Sequence, residues 1–494
     1  MESYSTPGTV TSRKVRHITQ RETQFWPVGP SAGSMLTGLD SSVERVYLVG
    51  DRPAQGWLPW ALERIPAGWE PGQHFLEGAH PVMRYKRPGR SVTLQAAASW
   101  FPSGDYSVSE ASAAYRTLGA ALRGAFPDAS LLDTPATTGR ELMLQSIPEG
   151  VEWPVLSDEH QELIRATSGQ ARIETVGYGR QLIPGLPDEN GGAGDWVETI
   201  PALYEYDMRL AYAASAWGLG AGVPVVDEVH EYAGQQRGRY FVGVAVPKDW
   251  PHPFGLVGVK EGRDGWRYPC DPTEAFWTWC DGAELHVLLK YGWHVVIAKR
   301  LLFPDYSGSG PLDLWKDRLV KLYANLAANP LARQGVRSII LHSIGALAAS
   351  SHTITRFSKS IDDVPADARA KVRFEGDYCL WPETKPAAWK EMQHPEWAAA
   401  IWARTRARLL DGPGVVRGRP IHPAPRTGAL HAKGEVVAFS TDALYLTARQ
   451  DWLDNGLPGR FRLKRWGEGP YPRPANRTDV IRLRNSLPNE AGEA

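Results

Sequence analysis

The sequence is divided into two parts by a segment crowded with proline, glycine and polar residues, LIPGLPDENGGAGD at 182–195. These residue types favour turns over regular helices and strands, so such a run is typical of an exposed connection. The chain has 494 residues, which is more than a single hydrophobic core usually serves. We therefore predict a domain boundary here and at least two folded units.

The first part has the patterns of an α/β unit. Strand-like runs, rich in β-branched and aromatic residues, occupy 45–51 and 82–101. A helix-like segment, SEASAAYRTLGAALRGAF, follows at 109–126. We predict a poorly ordered tail over residues 1–30 and an α/β domain over 31–185.

The second part begins with a β-type run, LYEYDMRLAY at 203–212. Further strand-like segments follow at 239–246, 265–269 and 291–303. Residues 275–290 have a helical pattern. These segments predict the core of a second, sheet-containing unit.

Two helices are predicted after residue 311, and Pro330 separates them, because proline interrupts a helix interior. In the second helix Arg333 and Arg337 are four residues apart and so share one face. An apolar stripe occupies another face of the same helix. We therefore predict a helix that packs on one side and presents positive charge on the other.

The remainder of the chain combines irregular and β-type patterns. Residues 355–430 are rich in proline and arginine and are predicted to be irregular. The segment GEVVAFSTDALYLTARQDW at 434–452 predicts a β-hairpin with its turn near Ser440–Ala443. From Asn455 to Arg484 the sequence is basic, with prolines and aromatics interleaved. Such a mixture favours contact with nucleic acid.

Two aspartates stand where β-type segments end or turn, Asp207 and Asp442. Nucleotidyl transfer uses two divalent metal ions about 4 Å apart, held by carboxylates on rigid elements. Magnesium takes oxygen ligands and keeps several waters, so a small set of carboxylates is sufficient. An aspartate in a turn is more often a turn former. The pair is therefore a candidate metal site because of its order and setting in the chain.

The sequences around these aspartates resemble motifs of family B DNA polymerases, particularly the protein-primed branch of phages and plasmids. YEYDMRLAYA at 204–213 is similar to the first palm motif, and VAFSTDALYLT at 437–447 is similar to the third. Between them, RQGVRSIILHSIG at 333–345 is similar to the fingers motif. The resemblance covers roughly residues 200–465.

The resemblance implies roles for particular residues. Two Mg²⁺ ions, or Mn²⁺, would be held by the carboxylates of Asp207 and Asp442 and the carbonyl of Met208. The incoming nucleotide would contact Tyr212, Arg333 and Arg337, with the tyrosine against the sugar and the arginines against the triphosphate. DNA would contact Thr441, Arg462 and Lys464. The implied partners are a DNA primer–template and deoxynucleoside triphosphates, with a terminal protein or other replication proteins as candidates.

The implied fold class is α+β, a right-hand polymerase with an antiparallel palm sheet, helical fingers and a short thumb. An N-terminal α/β, ribonuclease-H-like domain of the exonuclease type would precede it. The expected bounds are a tail at 1–30, the exonuclease-like domain at 31–185, palm with an insertion at 186–310, fingers at 311–352, palm again at 353–455, and thumb and tail at 456–494.

The exonuclease-like domain is expected to be inactive. Its two-metal chemistry requires several carboxylates, beginning with an acid-any-acid pair, and no such pair occurs before residue 140. In the helix at 109–126, Tyr115 is followed four residues later by Gly119 rather than by an acid. We therefore expect a polymerase without proofreading.

Charge and composition limit the setting. Lysine plus arginine equal aspartate plus glutamate at 55 each, so DNA contact would depend on local basic surfaces. The N-terminal sequence lacks the apolar core of a secretory signal or membrane anchor. The three cysteines lack zinc-ligand spacing. We expect a cytoplasmic protein with no membrane partner.

Two alternatives remain open from the sequence. Ser440 replaces the first aspartate of the third motif, Leu341 replaces the asparagine of the fingers motif, and Ala213 replaces the proline of the first motif. These departures suit a polymerase-derived protein that binds nucleic acid without catalysis. The other alternative is an unrelated hydrolase, suggested only by the twenty tryptophans.

Overall fold

The structure is a computed structural model of the full chain. It describes residues 22–488 apart from gaps at 73, 76–81, 103–104, 149–150, 152, 170–172, 177–198, 229–231, 233–236, 262–264, 304–309, 388–389, 414, 417–418 and 421–425. The predicted boundary segment at 182–195 and residues 1–21 of the predicted tail lie outside the described residues.

The first part of the chain is built on a five-stranded sheet in the order β1-β2-β6-β5-β3. Strands β1, β2 and β6 pair in parallel, whereas β5 pairs antiparallel with both β6 and β3. The elements are β1 (Thr23–Pro27), α1 (Ala32–Gly38), β2 (Arg45–Val49), α2 (Trp57–Leu62), β3 (Glu70–Pro71), β4 (His74–Phe75), β5 (Val82–Arg87), β6 (Arg90–Ala96), α3 (Val108–Ala125), α4 (Pro135–Ser146) and α5 (Asp158–Thr167). Ser107 and Glu110 form a capping box that fixes the start of α3.

The middle of the chain contributes strands to three sheets. Its elements are β7 (Ile173–Thr175), β8 (Thr199–Met208), α6 (Ala211–Ser215), β9 (Val225–Asp227), β10 (Gly238–Ala245), β11 (Val259–Glu261), β12 (Gly265–Arg267), β13 (Ala275–Asp281), α7 (Gly282–Lys290), β14 (His294–Leu302), α8 (Asp313–Asn325) and α9 (Pro330–Ala348). One antiparallel sheet has the order β13-β10-β14-β9. Pro330 is in the first turn of α9, where its missing N–H is not needed.

The last part of the chain completes the sheet that bears the candidate site. Its elements are β15 (Ser351–Ser358), β16 (Arg373–Glu375), β17 (Tyr378–Pro386), α10 (Pro395–Asp411), β18 (Val415–Val416), β19 (Arg419–Pro420), β20 (Val436–Ser440), β21 (Ala443–Leu446), β22 (Phe461–Pro472) and α11 (Arg477–Ser486). An antiparallel sheet in the order β22-β8-β21-β20-β7 combines four strands of the second unit with β7, which precedes the boundary segment. This sheet places Asp207 and Asp442 side by side.

Two predicted elements differ in the structure. Residues 22–30, assigned to a tail, contain β1, which pairs with β2 along its whole length. Residues 275–290, predicted as one helix, form strand β13 followed by α7. The chain changes from strand to helix at Asp281, whose backbone N–H donates to Glu284 Oε2 at 3.0 Å. This contact starts the helix and ends the strand.

The prediction of an irregular region at 355–430 is wrong. The described part of that region contains β17, α10 and the second half of β15. Helix α10 begins with Pro395 in its first turn and ends at Gly412, which are ordinary start and stop signals. The helix is buried along most of its length. The surrounding prolines concealed these signals in the sequence.

One large hydrophobic core joins both parts of the chain. It includes buried side chains of α3 and α4 from the first part and of α9 and α10 from the second. Ser338 of α9 donates a hydrogen bond to the carbonyl oxygen of Trp100 at 3.0 Å. The first unit is therefore packed directly on α9. Among the described helices, none combines the length and apolar character that a bilayer crossing requires.

Candidate active site

Two strands and a hairpin turn bring the candidate aspartates together. Asp207 lies near the end of β8, where it pairs with Ala443 of β21. Ser440 pairs with Ala443, so Asp442 lies in the two-residue turn between β20 and β21. The backbone N–H of Met208 donates to the carbonyl oxygen of Asp442 at 2.9 Å. The structure thus confirms the predicted hairpin and makes the two aspartates neighbours.

The two carboxyl groups interact electrostatically. Burial raises the pKa of Asp442 to about 7, and the negative charge of Asp207 contributes in the same direction. The positive charges of Arg337 and Lys464 partly oppose this rise. Burial thus makes the ionised form of Asp442 costly, and the charge of Asp207 adds to that cost.

Basic side chains of β22 approach Asp207, which is buried at 3% exposure. Arg462 Nη2 lies 3.4 Å from Asp207 Oδ2, and Lys464 Nζ lies 3.8 Å from Asp207 Oδ1. Both side chains therefore point to the same side of β22, as predicted. On that side they approach the buried carboxylate of Asp207.

A third acid, Glu205, lies on β8 two residues before Asp207 and is 1% exposed. Arg484 Nε lies 3.1 Å from Glu205 Oε1, and Lys464 Nζ lies 3.8 Å from the same oxygen. Arg465 Nε lies 3.6 Å from Glu205 Oε2. Sequence reasoning did not select Glu205. The alternation in YEYD was the available signal, because it puts Glu205 and Asp207 on one face of the strand.

An irregularity in β22 gathers these cations. The register between β22 and β8 shifts between Leu463 and Arg465, so that Arg462 pairs with Asp207 and Arg465 pairs with Glu205. In a regular strand, residues 462 and 465 would point to opposite faces. The extra residue, Lys464, makes a bulge, and all three basic side chains reach the acidic face.

The chain turns after Asp207 and brings Tyr212 next to the hairpin turn. Leu210 adopts the left-handed conformation, with φ 43°, which costs a non-glycine residue about 1 kcal/mol. Helix α6 starts immediately afterwards and carries Tyr212, which is 9% exposed. Burial and the charge of Asp442 raise the pKa of Tyr212, whereas hydrogen bonds with Trp402 and Thr441 lower it. The ring is thus held next to the Asp442 turn.

Helix α9 supplies the predicted arginines. Asn329 caps the helix, its side chain accepting from the backbone N–H of Ala332 at 3.0 Å. Arg337 is close enough to Asp442 to affect its pKa. The guanidinium of Arg333 packs over the ring of Tyr323 in α8, 4.1 Å from its centre. The structure therefore brings Arg337 to the aspartates and shows Arg333 bridging α8 and α9.

The donor set is chemically suited to a hard divalent cation. Within the described residues, no His, Cys, Asp and Glu side chains form a group of three or more arranged to hold a metal ion, so the candidate ligands are a pair. Asp207 and Asp442 supply carboxylate oxygens, and Met208 has a backbone carbonyl at the end of β8. Carboxylate and carbonyl oxygens are ligands that suit Mg²⁺ or Mn²⁺. The residues present therefore fit such ions.

No known protein-family model matches the chain, and no curated protein matches it in sequence. Solved structures of Phi29 DNA polymerase are similar to it in three dimensions. The orthorhombic crystal form has 13% identity and a TM-score of 0.51, and the comparison covers 89% of this chain and 79% of that polymerase. The ternary complex with primer-template DNA and incoming nucleotide substrates has 12% identity, a TM-score of 0.50 and the same coverage. The protein therefore has a mixed α+β, polymerase-like fold, distantly similar to that of Phi29 DNA polymerase over most of its length.

Proposed function

We propose that the protein is a template-directed DNA polymerase that adds nucleotides to a primer 3′ hydroxyl. The observation that carries this proposal is the adjacency of Asp207 and Asp442 in a polymerase-like fold, with Arg337 of α9 close to them. The similarity to Phi29 DNA polymerase supports the fold on which the proposal rests. The proposed partners are a DNA primer–template and deoxynucleoside triphosphates, and a terminal protein is a further candidate.

The proposed parts follow the sheets and helices. The sheet β22-β8-β21-β20-β7 would be the palm, and α8 with α9 would be the fingers. Residues from 456 onward would form a short thumb. The first five-stranded sheet and its helices would be the exonuclease-like domain.

Each side chain would contribute one interaction to nucleotidyl transfer. Asp207, Asp442 and the Met208 carbonyl would hold Mg²⁺ or Mn²⁺, and when bound these ions supply Lewis-acid activation of the hydroxyl and neutralisation of the triphosphate. Arg337, with Arg333 as a second contact, would stabilise negative charge that develops on the leaving pyrophosphate. Tyr212 would position the sugar of the incoming nucleotide.

The basic residues of β22 would bind the DNA. Arg462 and Lys464 lie beside Asp207, so they would meet backbone phosphates at the primer end rather than further along the duplex. Thr441, in the hairpin turn, would contact the same end of the primer. Such phosphate contacts position a strand without reading its sequence.

Primer extension with Mg²⁺ tests the proposal. Asp207→Asn and Asp442→Asn should each reduce extension by at least about 100-fold, because each removes a charged metal ligand while keeping the side-chain size. Asp451→Asn is the matched control, since the Asp451 side chain is 81% exposed and pairs with Lys433. Extension that survives both site variants would show that the aspartates are misassigned.

Absence of proofreading is the second element of the proposal. In the first unit, Arg45 Nη2 lies 2.6 Å from Asp133 Oδ1, and Arg45 also donates to the Tyr115 hydroxyl at 3.3 Å. A buried guanidinium therefore already satisfies this acid, which disfavours a metal role for Asp133. On a primer with a mismatched 3′ end, the protein should release no nucleotides when deoxynucleoside triphosphates are omitted. Release that depends on Asp133 would overturn this element.

A non-catalytic nucleic-acid-binding protein is the second candidate. It is favoured by the basic side chains that lie within 3.4 and 3.8 Å of Asp207, because they supply part of the positive charge that metal ions would supply. The presence of Ser440 in place of the first acid of the third motif also favours this candidate. DNA binding by the wild type without extension under any divalent cation would select this candidate.

A further inference from the structure

Two rows of side chains cross three strands on one face of the sheet β13-β10-β14-β9. Residues that pair directly across neighbouring strands project from the same face. In order across β13, β10 and β14, the first row is Trp279, Phe241 and Lys299, and the second row is Trp277, Gly243 and Val296. We call these six residues the aromatic face.

The rings of the aromatic face lie close together, with Trp277 exposed and Phe241 and Trp279 half-buried. Phe241 lies 5.3 Å from Trp277 with an angle of 30° between the rings, and 5.5 Å from Trp279 with an angle of 35°. A Cβ placed on Gly243 would lie 3.0 Å from atoms of the Trp277 indole, so the indole lies flat across the backbone of β10. The Trp277 side chain is nevertheless 52% exposed. Its outer plane therefore faces solvent.

The charge of this face is positive. Lys299 is exposed, and the next row continues with Ala275, Ala245 and His294. These three rows contain no acidic side chain, and all of their positions are described. Exposed ring planes with a cation beside them favour a partner that has flat π-systems and negative charge.

The aromatic face adjoins the candidate active site. Trp279 also lines a cavity of about 60 Å³, whose wall includes Trp402 and Thr441. Both of these residues contact Tyr212. The aromatic face and the hairpin turn therefore border one cavity, whose wall also carries the acids Glu174, Asp281 and Glu284.

We propose that the aromatic face is a stacking site for unpaired bases of single-stranded DNA. Successive residues on one side of a strand are about 6.8 Å apart, so the two rows would accept two neighbouring bases, one on Trp277 and one on Phe241 with Trp279. Lys299 would meet the phosphate backbone. The stacking site rests on the proposed polymerase function only for the identity of the bound DNA strand. That strand would be the template ahead of the active site.

Binding of a labelled oligothymidylate, followed by fluorescence anisotropy without nucleotides or divalent ions, tests the proposal. Trp277→Ala should raise the Kd about tenfold, because base–aromatic stacking of this kind is lost. Trp277→Phe should keep the Kd within about threefold of the wild type, because a ring plane remains. Gly243→Ala should also weaken binding, since its Cβ would displace the indole without removing it.

Phe374→Ala is the matched control, because Phe374 of β16 is an exposed aromatic, at 70%, in a different sheet. Its Kd should equal that of the wild type. Oligothymidylate binding is measured without nucleotides or divalent ions, whereas primer extension by the wild type requires both, so failure of this proposal is separated from failure of the polymerase proposal. Unchanged binding by Trp277→Ala, or equal losses in Trp277→Ala and Phe374→Ala, would overturn the proposal. So would self-association that Trp277→Ala abolishes while oligothymidylate binding persists, because the face would then be a protein interface.

Discussion

Asp442 retains a proton more strongly than an ordinary aspartate. Its pKa is raised to about 7 by burial and by the neighbouring charge of Asp207. A metal ion binds only the ionised carboxylate, so protons compete with the metal below this pH. At the proposed metal site, Asp442 would therefore link metal occupancy to pH near neutrality.

At a low, fixed Mg²⁺ concentration we expect the rate of primer extension to rise with pH through about 7. Saturating Mg²⁺ should move the midpoint to lower pH, because the metal displaces the proton. Initial rates measured across a pH series at two Mg²⁺ concentrations check this. The same midpoint at both concentrations would exclude proton–metal competition at Asp442.

The same carboxyl group predicts a stability trend in the absence of metal. Because its pKa is higher in the folded than in the unfolded protein, folding is favoured most when the group is protonated. Stability should therefore fall as pH rises from about 4 to about 7. Asp442→Asn should reduce this dependence, and thermal melting in a chelator over the pH series measures it. Asp451→Asn, which changes an exposed acid, should leave the dependence unchanged.

At the scale of elements, β22 joins the C-terminal helix to the strand that bears Asp207. Glu205 contacts Arg484 of α11 and Lys464 and Arg465 of β22. Arg465 also donates to the carbonyl oxygen of Arg484 at 2.9 Å. One buried acid thus holds three cations, and through them it fixes α11 against the sheet.

Glu205→Gln should destabilise the protein by about 2 kcal/mol, because it leaves these cations without their acid. The value is below that for a fully buried ion pair, since the Arg484 side chain is 32% exposed. Chemical denaturation and the rate of limited proteolysis near α11 measure the effect. Glu468→Gln removes an exposed acid of β22 and should have little effect. Equal effects of the two variants would argue against the anchoring role of Glu205.

The sequence predicted elements whose signals are local. The structure agrees with the sequence patterns at the hairpin turn that contains Asp442, in helix α3, and in strands β10 and β14. It did not predict the cluster around Glu205, because that cluster depends on the register shift at Leu463. Alternation along a strand does not encode such a shift. The proximity of Arg337 to Asp442 could be expected from motif order but not from either helix or hairpin alone.

At the scale of the whole molecule, the first unit is packed against the helix that carries Arg337. A Cβ added to Gly139 of α4 would lie 2.9 Å from Ser343 Cβ and 3.1 Å from Ile339 Cγ2 of α9. These two helices therefore approach closely only because residue 139 has no side chain. The contact joins the unit before the boundary segment to the unit after it.

Gly139→Ala should lower stability by about 1–3 kcal/mol, because α4 and α9 must separate or distort. The same substitution should cost less when Ser343→Gly is already present, since the opposing Cβ is then absent. A double-mutant cycle of thermal or denaturant unfolding measures this coupling. Gly124→Ala in α3 is the matched control, because a Cβ there has open space. Additive effects of the two substitutions would contradict the close contact.

The buried apolar residues of α9 limit the ways in which the sequence of this protein can change during evolution. Removing the first unit would expose to water the buried residues of α9 that contact it, such as Ile339, which lies against Gly139 of α4. Mutations can therefore erase whatever chemistry the first unit performs, but deleting the unit would cost the second unit its solubility and its shape. Selection would therefore retain the first unit as structural support for the second unit, even if the first unit catalysed no reaction.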